Sequence, residues 1–226
     1  MGTLTNNQKQ VILSGILGDG SLLENGRIIF KSVEKEYLEY KKDLLGDLSN
    51  EVKKVPNNGF KRGFIYILAA KATDYGKEVF NYTLEKLVEE LDDLGIAMWV
   101  YDDGSLHKDK NYYNICTHSY TEKEQEVFIK IFKKHKIYPK IRKEVKKDGR
   151  IFYYLSVSRH EGAFEINGIL KKNYVNCYNY KLWRNKQYDL YKEALTHESF
   201  RNMNGWQRPY FLRKLKIVKL KLKSLH

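Results

Sequence analysis

A duplicated α+β fold, with antiparallel sheets in two like halves, is predicted by three observations. The run Asp-Gly-Ser-Leu occurs twice, at residues 19–22 and 103–106, an offset of 84 residues. Each copy closes an apolar stretch of helical character, and the same succession of extended and helical stretches follows it in nearly constant register. In the second copy Ile151, Tyr153, Leu155 and Val157 alternate with Arg150, Phe152, Tyr154 and Ser156. That period of two belongs to a strand with one face on a core and one face outward.

The elements follow in order. The first apolar stretch, residues 11–20, contains Gly15 and Gly18, each costing about 1 kcal/mol in a helix interior relative to Ala. Two explanations stand. Gly18 begins a C-cap, or Ser14 and Gly18, four apart on one face, admit a second backbone closely. The natural partner is the second copy, where Gly95 and Ala97 are small and Met98 is not. An extended stretch over 27–33 and a helix over 34–48 come next. A hairpin of 52–55 and 60–69 turns at Pro56-Asn57-Asn58-Gly59. The second half repeats the order: extended over 112–118, helical over 121–135, then strands 139–146 and 150–158 around Asp148-Gly149. Thr121-x-x-Glu124 and Ser158-x-x-Glu161 have capping-box spacing at helix starts. Each half is therefore helix, two strands, helix, two strands and one or two helices, with the halves at 1–90 and 91–198. Residues 199–226 have no copy in the first half and form a basic C-terminal extension.

Charge narrows the partner. With 41 Lys and Arg against 28 Asp and Glu, the net charge is +13. This balance favours a polyanion, nucleic acid first and an acidic membrane surface second. No apolar run approaches the ~20 residues of a membrane span and no signal-peptide pattern opens the chain, so an intracellular, non-secreted protein is expected. Cys116 and Cys177 stand outside any C-x-x-C pair, which excludes a zinc site of the usual spacing and argues against a disulfide framework. The six His form no cluster, and His107 reads as a solvated loop residue. No Ser/His/Asp arrangement or phosphate-cradling Gly loop is visible.

Asp19 and Asp103 hold the chemistry. If the two apolar helices pack side by side, both carboxylates emerge together at C-terminal ends. There they repel each other and the helix dipoles. A hard divalent cation is the obvious counter-charge, and Mg²⁺ takes one or two carboxylates together with phosphate oxygens and water.

Residues 12–20 and 96–104 resemble the two LAGLIDADG motifs of the monomeric homing endonucleases, and the likeness extends more loosely over residues 8–195. Met98-Trp99-Val100-Tyr101-Asp102-Asp103-Gly104 is the more specific copy. In the first, Leu17 and Gly18 replace the usual Asp-Ala, and Met98 stands where a small residue is typical. The resemblance implies two pseudosymmetric αββαββα halves, motif helices at their interface, and a saddle-shaped antiparallel sheet from each half in the DNA major groove. It implies a monomer that cuts both strands of a long, weakly symmetric double-stranded target. The cut is Mg²⁺-dependent, with Mn²⁺ able to substitute; it leaves short 3′ overhangs and starts intron or intein mobility. The expected setting is bacterial or phage-infected cytoplasm, or an organelle.

Residue by residue, Asp19 and Asp103 carry over as catalytic metal ligands, with the backbone carbonyls of Gly18 and Asp102 as supplementary ones. The Asp102 side chain is expected to be one step removed from the metal or solvated. Lys181, in Tyr180-Lys181-Leu182, resembles the family's basic residue near the scissile phosphate. The first half has no clear equivalent, since Lys77 and Lys86 only flank the expected place and Asn81 occupies it. The rival reading is a maturase-like RNA-binding protein that assists splicing of intron RNA. Loss of an acidic ligand would mark that state, and both Asp residues are present.

Candidates for DNA contact are polar residues on outward strand faces: Arg27, Lys31, Lys53, Arg62 and Tyr66 in the first half. The second half offers Asn114, His118, Lys140, Arg142, Lys146, Arg150 and Tyr154. Arg and Lys can read guanine edges and Asn adenine. In the extension, Arg213, Lys214, Lys216, Lys219, Lys221 and Lys223 alternate with apolar residues. They suit a DNA-backbone clamp or an amphipathic element packed on the body.

Overall fold

The structure, a computed structural model, describes residues 3–57, 63–107, 112–157, 161–183, 185–203, 207–208, 211–213 and 215. Helix α1 (Asn6–Leu17) starts at a capping box in which Thr5 and Gln8 satisfy each other's backbone amides. Strands β1 (Gly20–Leu22) and β2 (Ile28–Ser32), helix α2 (Lys35–Leu45), strands β3 (Lys53–Asn57) and β4 (Gly63–Ala69), and helices α3 (Asp74–Phe80) and α4 (Leu84–Glu89) complete the first half. The second begins with α5 (Asp93–Asp103), capped by the Asp92 side chain at two amides. Strands β5 (Gly104–His107) and β6 (Tyr112–Ile115), helix α6 (Glu122–Lys134), strands β7 (Pro139–Val145) and β8 (Ile151–Val157), and helix α7 (Glu161–Lys172) follow. A 3-10 segment, Asn176–Lys181, then leads to α8 (Asn185–Ala194) and α9 (Glu198–Arg201).

The two four-stranded antiparallel sheets have the same order, β1-β2-β4-β3 and β5-β6-β8-β7, so the duplication is one of topology as well as sequence. The Asp-Gly-Ser-Leu runs supply the short strands β1 and β5, which start at the glycine after each aspartate. Thr121 closes the expected capping box with Glu124. Ser158 lies outside the described residues, and α7 starts at Glu161.

Both sheets put one face on a single core that unites the halves. Phe30, Leu68, Tyr113, Leu155 and Val157 are buried there with the motif helices. Helix α5 buries every residue from Gly95 to Tyr101, as expected of a helix enclosed on all sides. It packs against α1, and the facing positions are the duplication's own equivalents: the Ser14 hydroxyl lies 3.7 Å from the Met98 sulfur, 84 residues on. Both explanations hold: Ser14 and Gly18 admit the second motif helix closely, and Gly18 is also the C-cap of α1, its N–H donating to the Ser14 carbonyl. Gly15 faces its own sheet instead, where an added Cβ would meet Phe30 at 2.4 Å.

The extension packs on the body as far as it is described. Phe200 is fully buried, the Phe211 ring lies tilted against it at 5.3 Å, and Arg208 lies over the Phe200 ring. Arg213 is exposed. Lys214, Lys216, Lys219, Lys221 and Lys223 lie outside the described residues.

Candidate active site and sheet faces

The C-terminal ends of α1 and α5 place four residues around one spot: Gly18, Asp19, Asp102 and Asp103. Asp103 is the last residue of α5 and half-buried; Asp19 is exposed, two residues beyond α1. Burial first, then repulsion from Asp19 and Asp102, pushes the Asp103 carboxyl up to about 7. Partial desolvation among its neighbours, then Asp102, also raises Asp19, opposed by Lys41 and Lys181. Each carboxylate thus feels the other's neighbourhood, and both lack a hydrogen-bonded cation among the described residues. The Trp99 indole N–H, one helical turn before Asp103, is buried beside that carboxylate and lowers its pKa.

Asp102 is differently employed. Its carboxylate receives the Lys41 ammonium at 3.0 and 3.1 Å, with both side chains buried. One oxygen also accepts the Asp19 backbone N–H at 3.4 Å. The side chain is therefore not solvated but engaged, which leaves the backbone carbonyl as the group Asp102 could offer a metal. An added Cβ on Gly18 would stand 2.5 Å from the same Asp102 oxygen, so the glycine is required by close approach.

Lys41, from α2, is the lysine absent from the sequence reading. Lys77 and Lys86 are engaged elsewhere, by Asp74 at 3.1 Å and by the Tyr82 ring at 3.6 Å. Asn81 caps α3. The first half thus does send a lysine toward the carboxylates, from a different element than the second half uses. A signal existed: Tyr37, Leu38, Lys41 and Leu45 form the buried stripe of α2, at helical spacing.

Lys181 ends the 3-10 segment and is buried. Its ammonium donates to the carbonyls of Val100 at 3.4 Å and of Tyr101, satisfying the end of α5 and complementing its dipole. Burial lowers it to about 8, against the pull of Asp102, Asp103 and Asp19. It is within the field of all three carboxylates while its donors are turned to the main chain.

The donor set fits one kind of metal. Among the described residues no group of three or more His, Cys, Asp or Glu side chains is placed to hold an ion, which disfavours an all-protein cage. Two carboxylates whose pKa values are raised by burial and then by a neighbouring carboxylate, beside backbone carbonyls, match a hard cation that completes its shell with phosphate and water. No turn or cap hydrogen bond among the described residues uses the carbonyls of Gly18 or Asp102.

The sheets' outer faces are read from register. Lys31, Ile67 and Lys53 oppose one another across β2, β4 and β3, away from the core, and Arg27 is exposed at the β1–β2 turn. Tyr66 has the opposite parity. It packs against the core on the side of Leu68, so it is not on the outward face expected of it. Arg62 lies outside the described residues. In the second sheet Asn114, Lys140, Arg142 and Tyr154 share the outer face. His118 joins them against Phe152 and Tyr154. Lys146 and Arg150, at the β7–β8 hairpin, are paired with Glu144 at 2.6 Å and Asp148 at 2.8 Å. His107 is half-buried in β5 and stacked on Tyr112 at 4.8 Å, a strand residue and not a solvated loop.

Against this geometry the comparisons are decisive. The profile of the LAGLIDADG DNA endonuclease family matches residues 9–164, more than half of the chain. The chain belongs to that family. DNA endonuclease I-ChuI of Chlamydomonas applanata is 26% identical over 211 residues, covering 80% of this LAGLIDADG chain and 96% of the relative. The homing endonuclease I-WcaI bound to its DNA recognition sequence shares the fold, with a TM-score of 0.67 at 17% identity over 82% of this chain and 89% of that one. I-DmoI in complex with DNA and Mn gives a TM-score of 0.43 at 14% identity over 68% and 91%. The two like-ordered sheets and paired motif helices are thus the LAGLIDADG endonuclease architecture.

Proposed function

We propose that this LAGLIDADG endonuclease cuts both strands of a long, weakly symmetric double-stranded DNA site by Mg²⁺-dependent phosphodiester hydrolysis, with Mn²⁺ able to replace Mg²⁺. The products carry short 3′ overhangs, and the reaction initiates intron or intein mobility. The observation that supports this reading best is the convergence of Asp19 and Asp103 at adjoining helix ends, each destabilised as a carboxylate until a cation joins them.

Asp19 and Asp103 would hold the metal with the carbonyls of Gly18 and Asp102. A bound divalent cation supplies polarisation of the phosphate, acidification of water and stabilisation of the leaving oxygen. Lys181 holds the end of α5 and adds positive charge beside the reacting phosphate. The outer faces of the two sheets bind the duplex as a monomer: Lys31 and Lys53 from one, Lys140, Arg142 and Asn114 from the other. Their cations also neutralise phosphates, which makes affinity salt-dependent.

The test is incubation of the full chain with Mg²⁺ and a supercoiled plasmid carrying the host sequence without its mobile element. Linear product with 3′ overhangs, abolished by chelation, is expected. RNA binding with an intact plasmid at salt low enough for DNA binding would favour the splicing role instead.

A further inference from the structure

The Lys41–Asp102 pair is costly as a stability device. Desolvating two charges offsets most of their attraction, and an apolar pair often serves stability as well. Its position suggests what it does. Asp102 belongs to α5 of the second half and Lys41 to α2 of the first. The carboxylate between them touches the turn that carries Asp19, accepting the Asp19 N–H at 3.4 Å and packing against Gly18. Tyr37, from the same helix as Lys41, donates its hydroxyl to the Met98 carbonyl at 3.0 Å, tying α2 to α5 one turn earlier.

Among the described residues the other half has nothing equivalent. The position related to Asp102 by the duplication is Gly18, which has no side chain to reach across. Asp103 is instead fixed as a helix residue, its carbonyl accepting the Cys116 N–H at 2.9 Å and its chain continuing directly into β5.

We propose that the Lys41–Asp102 ion pair is the positioning device for Asp19: a side chain of the second motif holds the first motif's turn and presents the Asp19 carboxylate to the metal site. Lys41 fixes the rotamer of Asp102, and Asp102 fixes the backbone at Gly18–Asp19. Neither touches the substrate. The two metal-binding carboxylates are consequently supported by different means.

The inference rests on the metal reading of the site, and two readouts separate them. Mn²⁺ affinity of the full chain is measured by calorimetry, and the Mg²⁺ concentration for half-maximal plasmid cleavage is measured beside it. Asp102→Asn, Lys41→Met and Gly18→Ala are compared with wild type and with Leu45→Ala, a fully buried core site in α2 that serves as the control for lost stability. All are assayed below the melting point of the least stable variant. About tenfold weaker Mn²⁺ binding and a similar rise in half-saturating Mg²⁺ are expected for the three site variants, with the maximal rate falling less and Leu45→Ala unchanged. Should Asp102→Asn fail to fold, Gly18→Ala carries the test, since it keeps both charges. Unchanged metal dependence in folded site variants, or an equal shift in Leu45→Ala, overturns the proposal. A wild type that neither binds Mn²⁺ nor cleaves overturns the metal reading itself.

Discussion

The Lys41 ammonium lies 3.0 and 3.1 Å from the two Asp102 oxygens across the junction of the halves, with neither side chain more than 1% exposed. Removing one partner leaves the other charged and buried. Lys41→Met and Asp102→Asn should each cost about 3–5 kcal/mol, whereas the double variant should cost much less than their sum. Urea denaturation of the three variants measures the coupling. Additive costs would show that the two groups do not depend on each other.

Gly18 caps the C-terminal end of α1 and is held against the Asp102 side chain. Gly18→Ala should therefore destabilise through overpacking, by about 1–3 kcal/mol. In a Lys41→Met/Asp102→Gly background the obstructing side chain is gone, and the same alanine should cost under about 1 kcal/mol. Equal costs in both backgrounds would mean that the close approach is not what the glycine serves.

Asp103 gives a pH dependence of definite sign. Its folded pKa of about 7 lies above its ordinary value of 3.8, so the folded state takes up the proton. The associated stability is complete below the ordinary value and is lost as pH rises through about 7. Metal-free protein should melt lower at pH 8 than at pH 5.5, and Asp103→Asn should reduce that difference. Divalent-cation binding, which needs the carboxylate, should strengthen with pH below 7 and release a proton. Melting curves in chelator and calorimetry in buffers of different ionisation enthalpy check both.

The sheet faces predict a pattern in salt dependence. Lys31→Ala and Arg142→Ala, both outward, should each lower the slope of log affinity against log salt by about 1. Tyr66→Phe, packed toward the core, should leave the slope and the affinity unchanged. Binding titrations at several salt concentrations distinguish the two classes.

How far the fold was legible depended on alternation and repetition. Residues 150–157 separate polar from apolar positions, so both the strand and its outward face are readable. Phe64, Ile65, Tyr66, Ile67 and Leu68 in β4 are apolar on both sides, so parity is silent there and Tyr66 was misplaced. The motif helices are buried all round, which erases the period that would show which face meets the partner. Only the 84-residue offset pairs them, and it pairs Ser14 with Met98 and Gly18 with Asp102 correctly. Lys41 was missed because a lysine on a basic chain draws no notice, although it occupies the apolar stripe of α2. The Asp102 side chain could not be placed from sequence, because its partner is 61 residues away and on another element.

Asp19 and Asp103 are proposed to form one metal-dependent centre for cutting DNA. Plasmid cleavage in Mg²⁺ by wild type, Asp19→Asn and Asp103→Asn tests it most directly, with duplex binding measured in parallel. Linear product from the wild type is expected, with cleavage lost or severely slowed in both variants while DNA binding persists. A variant that binds and linearises the plasmid at the wild-type rate would contradict the account.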